Sequence, residues 1–211
     1  MATAILVEQA AKPTFRRLLH RFSVAEYHRM IQMGILTEDH RVELLEGVIV
    51  DKMPHNPPHD GTITRIQRRL AGYLSEDWLL RVQCAITTRY SEPEPDLAIV
   101  QNLEDVYFTR HPGPRDIALL IEIADSSLED DRQDKGRIYA HARIPIYWIV
   151  NLNDRQIEVY SEPKGGKEPA YRRRADYGID AKVPLVLEGK QVAQIAASDL
   201  LPPSTVDEIR G

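Results

Sequence analysis

Residues 117–127 read IALLIEIADSS, an apolar run from Ile117 to Ile123 broken by one carboxylate, Glu122. A continuous apolar run of this length, closed by a polar Asp-Ser-Ser, predicts a strand buried on both faces. Such strands lie at the centre of parallel or mixed sheets, which sets the fold class. An unpaired carboxylate there costs several kcal/mol, so Glu122 requires a cation beside it. Strand alternation puts Glu122 on one face with Ala118, Leu120 and Ala124, and Leu119, Ile121 and Ile123 on the other. The two alanines leave room on that face for a partner.

The flanking sequence supplies the other elements. FSVAEYHRMIQMGIL (22–36) predicts a helix, with Ser23 as N-cap and Glu26 completing a capping box. RVELLEGVIVDKMP (41–54) predicts a strand, a turn at Gly47 and a second strand. HDGTITRIQRRLAGYLSEDW (59–78) has a helical apolar stripe of Ile63, Ile66, Leu70, Tyr73 and Leu74, with His59 on its inward side. Strands are expected in LRVQCAITTRY (80–90), PDLAIV (95–100), IPIYWIV (144–150) and RQIEVYSEP (155–163), and short edge strands across 177–203. A helix is expected over DKGRIYAHAR (134–143). The pattern describes an α/β (α+β) domain: a mixed central sheet flanked by helices, with extra edge strands. The chain divides into an N-terminal arm (1–21), one domain (22–203) and a C-terminal tail (204–211).

The chain has 211 residues, 43% hydrophobic and 28% charged, with a net charge of −5. That is globular composition, and no stretch reaches the roughly 18 apolar residues of a membrane span. The single Cys84, placed in a core strand, cannot form an internal disulfide, and no basic region precedes the apolar N-terminal piece. A cytoplasmic location follows as the expectation. The acidic balance means that any nucleic-acid contact must rest on local basic patches.

Three residues need a joint explanation. Asp96 stands where SEPEPDLAIV enters an apolar strand, held extended by Pro95; read alone, it is first a strand-opening turn residue. Glu122 is the buried acid. Lys135 shares a helical stripe with Ile138, Tyr139 and Ala142, although its long stem could also reach solvent. Two carboxylates and a lysine suit Mg²⁺-dependent phosphodiester hydrolysis: hard oxygens hold the ion, and an ammonium positions the nucleophile. No G-x-S-x-G elbow surrounds Ser126 or Ser127, and one cysteine with scattered histidines gives no zinc-ligand spacing.

The ordered series RVELLEGVIV, PPH, PEPDLAIV, LLIEIADSS, DKGRIYAHARIPIYWIV and SDLLP resembles the Uma-two family of restriction-endonuclease-like proteins, from about Phe22 to Pro202. The resemblance implies the fold of the PD-(D/E)xK nucleases, a DNA substrate, Mg²⁺ (with Mn²⁺ as substitute) and often a homodimer. It implies Asp96 and Glu122 as catalytic residues and metal ligands. The lysine two residues after the acid in that superfamily is Ala124 here, and Lys135 is implied as its replacement. Glu43 and Glu46 match acidic positions that complete such sites; Glu46, just before Gly47, is equally a turn residue, and Glu43 is preferred because it lies within the strand. His59 matches a helix-start histidine, which either touches the site or caps the helix. Tyr139 and Trp148 read as core aromatics, and Arg172–Arg174 as a solvated charge run or a phosphate contact.

Overall fold

The structure, a computed structural model, describes residues 20–203. Of the expected arm, only His20 and Arg21 fall within it; the rest of the arm and the 204–211 tail lie outside the described residues. Helix α1 (Val24–Gln32) starts at Ser23, whose hydroxyl accepts from the Glu26 amide (3.3 Å) while the Glu26 carboxylate accepts from the Ser23 amide (2.8 Å). Strands β1 (Val42–Leu45) and β2 (Val48–Asp51) pair antiparallel through a two-residue turn. Both turn residues have positive φ, 47° at Glu46 and 79° at Gly47, as the twist of such a hairpin demands. A Cβ at Gly47 would lie 2.7 Å from Arg21 Cβ and 2.9 Å from the Phe22 carbonyl oxygen, so the incoming chain packs against the turn.

Helix α2 (Pro57–Ala71) is capped by Asn56, whose side chain accepts from the His59 amide (3.1 Å). It ends at Gly72, earlier than the apolar stripe implied, and Tyr73 is exposed rather than inward. Strand β3 (Trp78–Val82) also stops early, because Gln83 takes a left-handed φ of 48° and turns the chain away. Cys84 therefore sits half-buried in the irregular segment after the bend at Gln83 and not in a core strand.

Six strands form the central sheet in the order β3-β4-β5-β6-β7-β8, with β4 at Leu97–Gln101, β5 at Ile117–Ala124, β6 at Ile146–Asn151, β7 at Gln156–Lys164 and β8 at Ala170–Gly178. All neighbours are antiparallel except β5 and β6. A parallel pair needs a crossover. Here it is a helical turn α3 (Leu128–Asp130), a π-helical turn (Asp131–Lys135) and helix α4 (Gly136–His141). The β9 (Lys182–Leu187)–β10 (Lys190–Ala196) hairpin and helix α5 (Ala197–Leu200) complete the expected mixed sheet with flanking helices and extra strands. Strand β8 was hidden by its composition, since YRRRADYG carries charge on an exposed edge. Among the described residues, no helix is long and apolar enough to cross a membrane.

Two apolar layers sandwich the sheet. One joins Leu119, Ile121 and Ile123 to α2 and to Val183 and Leu185 of β9. The other joins Leu120, Ala124, Tyr147 and Ile149 to Ile138 and Tyr139 of α4. Ala118 belongs to the first layer, against the alternation expected for it, because the β4–β5 register shifts between Ile99 and Val100 and passes over residue 118. Downstream of that bulge the alternation holds, and Glu122 shares its phase with Leu120 and Ala124.

The crossover is anchored to β7 through Glu158, which is fully buried. Its carboxylate accepts from Arg132 on the π turn (Nε, 3.1 Å, and Nη2), from Asn151 (2.9 Å) and from Tyr160 (2.8 Å), and Arg174 lies 3.2 Å away. Burial alone would raise its pKa, but these donors outweigh it and hold Glu158 down at about 2.

Two stability predictions follow from these constraints. Gly47→Ala, strained by both φ and contact, should lower the urea-unfolding free energy by about 1–3 kcal/mol. Glu158→Gln should cost about 2 kcal/mol at pH 7, less than a fully buried pair because Arg132 and Arg174 keep contact with water. A carboxylate whose folded pKa lies below its ordinary 4.5 stabilises the fold above that pH, and the contribution fades as pH falls toward 2. The gap between wild type and Glu158→Gln should therefore narrow from pH 7 to pH 3; a gap independent of pH contradicts the assignment.

Candidate functional site

The site forms where β4 begins beside the last turn of β5. Leu97 pairs with Ile121, so Asp96, one residue before β4, falls beside Glu122 and Ile123. Asp96 Oδ2 accepts from the Ile123 amide (2.8 Å) and from His59 Nε2 (3.1 Å). The Asp96 amide in turn donates to Glu122 Oε2 (3.4 Å). Asp96 is 6% exposed and Glu122 2%, so the two carboxylates are locked together inside the sheet wall.

Glu122 obtains its cation from the crossover. Lys135 Nζ lies 3.0 Å from Glu122 Oε1, and the Tyr139 hydroxyl donates to the same oxygen (2.7 Å). Asp131, four residues before Lys135, is 3.7 Å from the ammonium and accepts from the Ser127 hydroxyl (2.7 Å). Both ends of this acid–lysine pair belong to the π turn, a distortion that recurs at functional sites. Glu43 on β1 is also buried and accepts from the Glu94 amide (3.0 Å).

Asp96, Glu122, Lys135, Glu43 and His59 all line one cleft of about 320 Å³. Glu46 does not. From the β1–β2 turn it pairs with Arg137 of α4 and lines a separate hollow with Tyr90 and His141. Arg172–Arg174 sit on the edge strand β8, away from the cleft, with Arg174 engaged by Asp176 and Glu158. Sequence reasoning missed Asp131, whose i, i+4 spacing to Lys135 is the available signal, and the polar contact of Tyr139, because a hydroxyl on an apolar stripe gives none.

The cleft is acidic. Nine carboxylates line it, with Lys52 and Lys135 as its lysines, and Lys52 is already paired with Glu94. Burial lifts Glu122 to about 8; Lys135 opposes the shift, while Asp131 and Asp96 add to it. Burial works against the charge of Lys135, but Glu122, Glu43, Asp131 and Asp96 outweigh it and raise its pKa. Asp131 is also raised by burial, against the pull of Lys135 and Ser127. For His59, burial disfavours the charge, and the Asp96 hydrogen bond and the carboxylates of Asp96 and Asp60 prevail and raise its pKa. One ammonium among so many buried or converging oxygens leaves an excess of hard donors. That donor set fits a hard divalent cation.

No curated protein matches the chain. A solved structure is similar in fold: a "putative nuclease belonging to DUF820" from Anabaena variabilis ATCC 29413, at 15% identity and a TM-score of 0.59, covering 80% of this chain and 94% of that one. The model of the Uma2 family, described as "Putative restriction endonuclease", matches residues 24–191, which include each of Asp96, Glu122, Lys135, Glu43 and His59. A family of that description implies a divalent metal cation, in keeping with the oxygen donors of the cleft. The chain belongs to the Uma2 family.

Proposed function

We propose that this protein is a metal-dependent endonuclease that hydrolyses DNA phosphodiester bonds. The carrying observation is the buried Asp96–Glu122 pair at the β4–β5 junction, with the Lys135 ammonium 3.0 Å from Glu122. Asp96 and Glu122 would hold Mg²⁺, or Mn²⁺ in its place, with Glu43 extending the acidic set. The bound ion supplies Lewis acidity and positive charge for a phosphodiester.

The chain's own groups do the positioning. His59 and the Ile123 amide fix the Asp96 carboxylate, and the Tyr139 hydroxyl fixes Glu122. Lys135, charged across the neutral range, orients the attacking water and takes the place of the lysine absent at Ala124. The net charge of −5 means that the ion also offsets repulsion between the acidic cleft and the phosphate. A homodimer would bring two such sites to the two strands. The lone Cys84 and ordinary composition accord with the cytoplasm.

One observation favours a second reading, a nuclease-derived binding module without activity. Lys135 and Glu122 already form the buried ion pair that a structural remnant would keep. The two readings separate on plasmid and single-stranded DNA incubated with Mg²⁺ or Mn²⁺. The nuclease reading expects cleavage that falls by ~100-fold or more in Asp96→Asn, Glu122→Gln and Lys135→Ala. It also expects a metal-induced rise in Tm that disappears in the two carboxylate variants. Cleavage that survives Asp96→Asn, or an absence of both cleavage and a metal-dependent Tm shift, sinks it.

A further inference from the structure

Beside the carboxylate pair, the start of α2 gathers a second donor set of softer chemistry. His55, His59 and Asp60 each bring one ligand atom within 4.8 Å of the others. Asp60 Oδ1 lies 3.3 Å from His55 Nδ1 and 3.6 Å from His59 Nδ1, and the two imidazoles stack with centroids 4.2 Å apart. The histidines are four residues apart in HNPPHD, across the helix cap. Pro57 and Pro58 fix the backbone between them, and Asn56 ties the His59 amide.

The deciding atom is His59 Nδ1. His59 is 9% exposed, and its Nε2 faces the Asp96 carboxylate at 3.1 Å. In the neutral imidazole whose Nε2 donates to Asp96, Nδ1 keeps its lone pair. Nδ1 is buried and has no hydrogen-bond partner. Its nearest charged neighbour, Asp60 Oδ1 at 3.6 Å, lies beyond hydrogen-bond reach. A buried polar atom left unmatched costs about 1–3 kcal/mol. A cation between Nδ1, Asp60 and His55 removes that cost, because it accepts the lone pair and neutralises the carboxylate together. The arrangement also has the outer support that metal-binding histidines use: the ring nitrogen away from the ion donates to a carboxylate, here Asp96.

We infer that His55, His59 and Asp60 bind a transition-metal ion of the Zn²⁺ type, at a position separate from the hard-cation site of Asp96 and Glu122. Two imidazoles and one carboxylate suit such an ion, and three protein ligands leave a coordination position open. Binding at His55 Nδ1 exchanges a hydrogen bond from Gln83 Nε2 (3.1 Å). The consequence reaches the carboxylate pair, because an ion on Nδ1 fixes the His59 tautomer that holds Asp96. The histidines looked scattered in the sequence; the cap of α2 is what brings them together.

The inference does not rest on the nuclease reading, and its readout is binding alone. Full-length protein stripped with a chelator is titrated calorimetrically with Zn²⁺. His55 and Asp60 keep 30% and 62% of their side chains exposed, so His55→Ala and Asp60→Ala should fold normally. With millimolar Mg²⁺ present to compete at the carboxylate pair, one Zn²⁺ is expected in the wild type, about tenfold or more weaker in each of those variants and unchanged in Glu122→Gln. No Zn²⁺ uptake by the wild type overturns the site, as does undiminished affinity in His55→Ala and Asp60→Ala. A loss in Glu122→Gln assigns the ion to the carboxylate pair instead and overturns it equally.

Discussion

A carboxylate with 2% of its surface exposed, set in a strand buried along all eight residues, has to be compensated from within the protein. Glu122 imposes that demand, and the surrounding architecture meets it. The Asp96 amide reaches it from the residue before β4, the Tyr139 hydroxyl from α4 and the Lys135 ammonium from the π turn. Delivering a lysine to that point requires the helical crossover to pass over the face of β5 that carries Glu122. The same crossover makes β5 and β6 the one parallel pair among the described strands of the sheet. Arg132, three residues before Lys135, then pins the turn to Glu158 on β7. The charge inside the strand and the topology around it are one problem with one solution.

Compensation by Lys135 is incomplete. A single ammonium faces Glu122 and Asp131 directly, with Asp96 and Glu43 close enough to act on its charge. Burial still raises Glu122 to about 8. A site designed only for stability would match its charges or replace them with apolar side chains. The surplus of acid on a cleft wall, held by the amides of Ile123, Asp96 and Glu94, instead fits a site that receives a cation. Lys135 reaches Glu122 from the π turn, and Ala124 shares the face of β5 that carries Glu122.

Much of this was legible in the sequence. The apolar run around Glu122 located the central strand, and the stripe Lys135–Ile138–Tyr139 located the helix that covers it. Pro95 before Asp96 marked the start of β4. The capping box at Ser23 and the Glu46-Gly47 turn follow from local chemistry and appear as expected. What failed depended on tertiary context. Strand β8 is an edge whose central Arg172–Arg174 are exposed, and only Tyr171 and Tyr177 near its ends pack against the core. The bulge at Ala118 arises from register with β4 and leaves no trace in β5 itself. Asp131 reads as part of a polar connector until the π turn points it at Lys135, and Glu46, which reads equally as a site acid or a turn residue, sits in the turn and pairs with Arg137.

The central claim is that Asp96 and Glu122 together hold a divalent cation. Anomalous diffraction from crystals soaked in Mn²⁺ tests it most directly. A peak at coordination distance, about 2.1 Å, from a carboxylate oxygen of each residue is the predicted result. Mn²⁺ bound only elsewhere, or no peak while Glu122 remains paired with Lys135, would contradict it.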